Sequence, residues 1–180
     1  MAPVDVTVPR VLVAGIGNLF LGDDGFGPEV ARRLTGSPLP DFVRVVDYGI
    51  RGMHLAYDLL DGYDALVLVD AMPGDASPGN GSPGNAKPGD VTVIQVGPDD
   101  LGQGAFDPHG MAPVAVLASL EDLGGRLPPT YVVGCRPADV SEGIGLSPAV
   151  EAAIPGAISA VQALVRGQIP ATAAAADATS

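Results

Sequence analysis

Three side chains in this sequence offer oxygen and nitrogen donors without an obvious nucleophile beside them: Asp24, Asp70 and His109. Asp24 opens the first predicted helix, Asp70 closes a strongly apolar predicted strand, and His109 stands between Pro108 and Gly110 in a predicted loop. Two carboxylates and a neutral imidazole make a borderline O,O,N set that suits a transition metal and leaves positions for exogenous ligands. Each also has an ordinary explanation. An Asp at a helix start caps it or meets the positive end of the dipole. Of the adjacent Asp23 and Asp24, one is therefore expected to be structural and the other free to face a cleft. A carboxylate straight after Leu66-Val67-Leu68-Val69 is costly near a core unless it finds a partner or ligand, and a lone loop histidine can be a plain surface residue.

Other chemistries fit less well. Gly15-Ile16-Gly17 follows a predicted strand, but position 20 is Phe where a dinucleotide fingerprint needs glycine. Asp23 and Asp24 would also oppose a pyrophosphate at that helix start. Cys135, the single cysteine, excludes an internal disulfide and reads as buried and inert. His54, early in a helix, reads as partly exposed and structural. No serine has a base near it in a nucleophile elbow.

The elements that must position these residues follow from hydrophobic patterning. Strands are expected at Val11–Ile16, Phe42–Val46, Ala65–Val69, Val91–Val96 and Thr130–Val133. Helices are expected from Asp23 or Asp24 through Leu34, over Met53–Leu60, over about Pro113–Leu123, and over Ala149–Val165 with a break near Pro155 and Gly156. Asp47 to Gly52 reads as a loop. Pro73 to Gly89, with SPGN twice and prolines at 73, 78, 83 and 88, reads as a surface loop with little regular structure. Residues from Ile169 onward read as a frayed tail. The alternation implies right-handed crossovers and a single α/β domain with a twisted, mainly parallel sheet. Binding groups then collect beyond the carboxyl ends of the strands.

The 180 residues fit one domain, expected over 1–168 with a tail over 169–180. Hydrophobic residues make up 47% and aromatics only 4%, so the core must be aliphatic. A net charge of −12 disfavours nucleic acid as a partner, since phosphate must be neutralised by cations. No uninterrupted apolar run reaches the roughly 18 residues of a membrane span. The N-terminus lacks the cationic and apolar regions of a signal peptide. A cytoplasmic chain with no direct membrane insertion is expected.

The stretch from Gly15 to Gly27 resembles the opening motif of the [NiFe] hydrogenase maturation endopeptidases. The resemblance continues through Asp47–Met53, Leu68–Ala71, Asp107–Gly110, Gly134–Pro137 and Gly145–Pro148, in order over about residues 11 to 155. It implies a three-layer α/β fold with helices on both sheet faces. It also implies hydrolysis of one peptide bond, removing the C-terminal extension of the hydrogenase large-subunit precursor after nickel insertion. Asp24, Asp70 and His109 take the positions that contact nickel in the family, where Glu is frequent at the first. The nickel is then carried by the substrate, and no stable intrinsic cofactor is expected. The segment containing Asp47, Gly49, Arg51 and Gly52 is implied to dock substrate, although Tyr48-Gly49-Ile50 replaces a Gly-Gly-Thr-like sequence. The free protein is expected to be a monomer. Two other readings share the same three residues: a noncatalytic nickel-recognition or metal-delivery protein, and a metal-dependent small-molecule hydrolase.

Overall fold

The computed structural model describes residues 8–72, 86–97, 117–118 and 120–170. Five strands form one sheet: β1 (Val11–Ile16), β2 (Val43–Gly49), β3 (Ala65–Ala71), β4 (Val91–Val96) and β5 (Thr130–Cys135), in the order β2-β1-β3-β5-β4. All neighbours are parallel except β4, which runs antiparallel to β5. β1, β3 and β5 are interior strands, and their unbroken apolar runs reflect cover on both faces.

Alternation along the strands divides the core into two layers. Val11, Val13, Val67, Val69 and Val133 pack with Phe26, Val30 and Leu34 of α1 (Phe26–Leu34) and with Val150, Ile154, Ala157 and Val161 of α3 (Pro148–Ala163). Leu12, Ala14, Leu66, Leu68 and Val132 pack on the other face with Leu55 and Leu59 of α2 (Gly52–Leu59), together with Leu117 and Leu120. The expected three-layer α/β domain is the observed one.

Five sequence expectations change. β2 continues through Asp47 to Gly49, β3 through Asp70 to Ala71 and β5 through Gly134 to Cys135. Pairing with neighbouring strands carries all three past the end of their apolar runs. α3 runs unbroken through Pro155, because the proline is exposed while Ile154 and Ala157 hold the opposite side of the helix on the sheet. The helix then continues as a wider turn over Leu164–Gln168. Ile169, expected in a frayed tail, is buried in the core. Taken together, Pro148–Gln168 is long and apolar enough to cross a membrane by length and composition; in this fold its apolar face covers the sheet. Most of the Pro73–Gly89 loop, most of the expected helix at Pro113–Leu123, and residues 171–180 of the expected tail lie outside the described residues.

Candidate active site

The strand order creates a crevice between β1 and β3. β1 leads through α1 on one face to β2, while β2 leads through α2 on the opposite face to β3 on the other side of β1. The connections therefore diverge at the carboxyl ends of β1 and β3, the switch point where ligands bind in open α/β sheets. Asp24 and Asp70 both belong to this edge. Asp24 lies in a tight 3-10 turn, Gly22–Gly25, which joins β1 to α1 and packs against β3. Asp70 is one residue beyond Val69, the partner of Gly15.

Glycine makes that approach possible. A Cβ on Gly27 would overlap the carbonyl oxygens of Ile16 and Val69, so α1 rests directly on the backbones of β1 and β3. Gly17 has φ +139°, and a Cβ there would overlap the carbonyl oxygen of Asp24. The Gly15-to-Gly27 motif is therefore a packing device that brings the Asp24 turn down onto the sheet edge.

The adjacent aspartates have separate jobs. Asp23 is 1% exposed. Its Oδ2 accepts hydrogen bonds from the Ala138 and Asp139 N–H groups (2.8 and 3.0 Å) and from the Ser147 hydroxyl (2.9 Å). Its Oδ1 accepts the Ser147 N–H at 2.6 Å. Burial pushes its pKa up, but the Ser147, Asp139 and Ala138 N–H groups and the Ser147 hydroxyl outweigh this and hold it below the ordinary value. Asp23 staples the site turn to the start of α3. Asp24 is only partly buried, and its Oδ2 accepts the Asn18 N–H at 2.8 Å. Loss of hydration raises its pKa, against the opposing effect of that hydrogen bond.

Asp70 keeps partial exposure, yet burial of its carboxyl raises its pKa well above the carboxylate range, and the charge of Asp24 adds to the rise. The two carboxylates are thus close enough to interact, and each is easier to protonate than a free aspartate. A pair of this kind can take up and release a proton, or give up its protons to a cation. Among the described residues, no cluster of three His, Cys, Asp or Glu residues is poised around a metal. His109 lies outside the described residues.

The segment after β2 also borders this edge. Gly49, with φ +55°, accepts the Gly17 N–H at 3.1 Å. The register against β1 slips there, since Gly15 pairs with Asp47 but Ile16 with Gly49. The extra residue is Tyr48, whose ring is buried in the α2-side core and whose hydroxyl donates to Asp58 at 2.6 Å. Asp47 is exposed. Arg51 folds back, donating from Nε to the Tyr48 carbonyl and from NH2 to the Asp47 carbonyl (3.1 and 2.7 Å). Gly52 begins α2. Arg51 therefore closes the β2–α2 turn, a role that its exposed position in the sequence pattern did not reveal. Arg51→Ala should lower stability by about 1 kcal/mol through loss of these bonds, measured by denaturant unfolding.

Sequence reasoning left Asn18 without a role. Its N–H holds Asp24, and its side-chain oxygen accepts the Phe20 N–H at 2.9 Å. An Asn three residues after the glycine of a strand end is a recognisable turn signal. Cys135, as expected, is buried; its thiol is pushed up to about 11, mainly by burial. His54 is more exposed than expected, and lines a shallow cleft with Tyr48, Arg51 and Tyr57.

A family model described as hydrogenase maturation protease matches residues 83–164. The hydrogenase 2 maturation protease of Escherichia coli K12 is 32% identical over 161 residues, covering 87% of this chain and 91% of its own length. The chain belongs to the hydrogenase maturation protease family. The structure of the hydrogenase maturating endopeptidase HybD from E. coli superposes with a TM-score of 0.72 at 30% identity, covering 88% of this chain and 93% of that one. A hydrogenase 2 maturation peptidase from a Thaumarchaeota archaeon gives a TM-score of 0.61 at 32% identity over 84% and 95% of the two chains. This maturation protease thus shares its fold and most of its length with proteins named as maturation proteases and endopeptidases.

Proposed function

We propose that this chain is the endopeptidase that removes the C-terminal extension of a [NiFe] hydrogenase large-subunit precursor after nickel insertion. The observation that carries the reading is the pairing of Asp24 and Asp70 at the β1/β3 switch point in a member of this family. Peptide hydrolysis adds water to a carbonyl carbon and delivers a proton to the departing amine. In this proposal, nickel is part of the substrate, and Asp24, Asp70 and His109 recognise it there. Asp24, fixed by the Asn18 N–H, is the stationary oxygen donor. Asp70, with its raised pKa, accepts the proton of the attacking water and returns it to the leaving nitrogen.

Substrate nickel bound in this way brings the scissile region to the two carboxylates, so a nickel-free precursor forfeits both docking and orientation. The segment of Asp47, Gly49, Arg51 and Gly52 borders the groove for the peptide. The free protein is taken to be monomeric, with the cytoplasm as its compartment and no cofactor of its own.

The purified chain, incubated with nickel-loaded and nickel-free precursor, provides the test by intact-mass measurement. Loss of the extension only from the nickel-loaded sample is expected. Binding without cleavage would favour a recognition or metal-delivery protein, and turnover of small esters or amides alone would favour a small-molecule hydrolase.

A further inference from the structure

Beside the carboxylate crevice lies a group of apolar side chains that the fold leaves in water. Leu19 is 50% exposed, Phe20 67%, Val140 41% and Ile144 83%. They come from two loops far apart in sequence, which the backbone joins side by side. The Gly143 N–H donates to the Phe20 carbonyl and the Gly22 N–H to the Gly143 carbonyl, each at 2.9 Å. The Asp23 N–H donates to the Asp139 carbonyl at 2.9 Å, and the Asp23 carboxylate secures the same loop from inside. These loops are therefore fixed in place while their apolar side chains remain uncovered. Exposed apolar side chains gathered on two loops that the backbone joins mark an interaction site more than a by-product of folding.

We propose that the paired loops 19–21 and 139–144 form a platform that receives an apolar stretch of the precursor bordered by cationic side chains. The inference rests on the endopeptidase reading and names a recognition surface for it. Continuity with the crevice identifies the occupant, because Asn18, which precedes Leu19, holds Asp24 through its N–H. In the endopeptidase reading, a protein whose metal centre reaches Asp24 is brought beside the loop that carries Leu19 and Phe20. Charge identifies the borders. Asp139 and Glu142 are exposed on the second loop, and the whole chain carries −12. Preformed loops also spare the complex part of the ordering cost that a flexible surface would incur on binding.

Phe20→Ser and Ile144→Ser, tested singly in the full chain with nickel-loaded precursor, should each raise KM about tenfold and leave kcat within twofold. The precursor Kd should rise to the same degree, thermal unfolding should not move, and Ile144→Leu should restore both constants. Leu123→Ser, which removes another exposed apolar side chain, should leave KM unchanged. The wild-type Kd should weaken as salt is raised; indifference to salt overturns the cationic border. Unchanged KM and Kd in both serine variants overturn the platform. A wild-type dimer that dissociates in the variants, with precursor affinity unaltered, overturns it in favour of self-association. Failure of the wild type to cleave would remove the endopeptidase reading, while the Kd comparison would still decide whether the platform binds precursor.

Discussion

Asp70→Asn is expected to cut precursor processing by at least about 100-fold while making the folded protein more stable at neutral pH. The first effect follows from removing the proposed proton acceptor, a contribution of about 10²–10⁴ in rate. The second follows from the direction of its pKa. Burial, and then the charge of Asp24, raise the carboxyl of Asp70 well above its ordinary value. Below that ordinary value the group is protonated whether the chain is folded or not, and it exerts no penalty. As pH rises from there through the native pKa, the unfolded chain ionises more readily, and the folded state loses stability relative to it. Above the native pKa the penalty is complete. The Asn variant escapes it, so its Tm should exceed that of the wild type at pH 7 by a few degrees and match it near pH 3, with roughly 3 °C expected per kcal/mol. Processing by the wild type should decline as pH falls through the raised Asp70 pKa, since the acceptor is then occupied. His109→Ala should equal the loss of processing. A processing rate within tenfold of wild type in Asp70→Asn would remove that carboxylate from the reaction, and an unchanged Tm at pH 7 would show that its burial carries no strain.

Asp23→Ala has the opposite signature. Its side chain accepts four hydrogen bonds from Ala138, Asp139 and Ser147 at almost complete burial. Deleting it leaves three backbone N–H groups and a hydroxyl without that acceptor, at a cost of about 3 kcal/mol. For a domain of this size that is a Tm fall of roughly 10 °C. Here the folded pKa lies below its ordinary value, because the hydrogen bonds from Ser147, Asp139 and Ala138 overcome the effect of burial. The stabilisation is present above the unfolded pKa and is lost as pH falls through the depressed native pKa. The gap in Tm between wild type and Asp23→Asn should therefore be full at pH 7 and shrink in strong acid. Thermal unfolding across pH 2.5–7, with approximate spacing of half a unit, reads both. A Tm within 2 °C of wild type for Asp23→Ala would mean that the α3 connection is held by something other than this carboxylate.

The contrast between these neighbours shows where sequence reading stops. Asp23 and Asp24 are identical residues in adjacent positions, and helix capping or dipole arguments treat them alike. Their difference comes from Ser147, more than a hundred residues away, whose N–H and hydroxyl select one carboxylate and leave the other for Asn18 and the crevice. Arg51 is similar. The family resemblance places it in a docking segment, and the structure adds that its guanidinium donates to the carbonyls of Asp47 and Tyr48.

Local patterns were sufficient where a strand's bounds coincide with its β-branched run. Val11–Ile16 is buried throughout and Val91–Val96 is partly exposed at the sheet edge, and both keep the bounds that their residue types predict. They were insufficient where a neighbour extends an element. Asp70 and Asp47 are polar residues that pairing carries into strands, and Pro155 is a helix breaker tolerated because the sheet holds the opposite side of α3.

The sequence by itself determined the α/β alternation, the aliphatic core, the glycines of the first turn and the residue types able to do acid–base or metal chemistry. Periodicity and backbone permissiveness act over a few residues, so they can be read without a fold. Only the tertiary structure decided that β4 runs antiparallel, that Gly27 of α1 rests on the backbones of β1 and β3, and that Asp24 comes near enough to Asp70 for one charge to raise the other's pKa. Those outcomes depend on the order in which distant strands pair and on how closely their backbones pack, and no short stretch of the chain contains either.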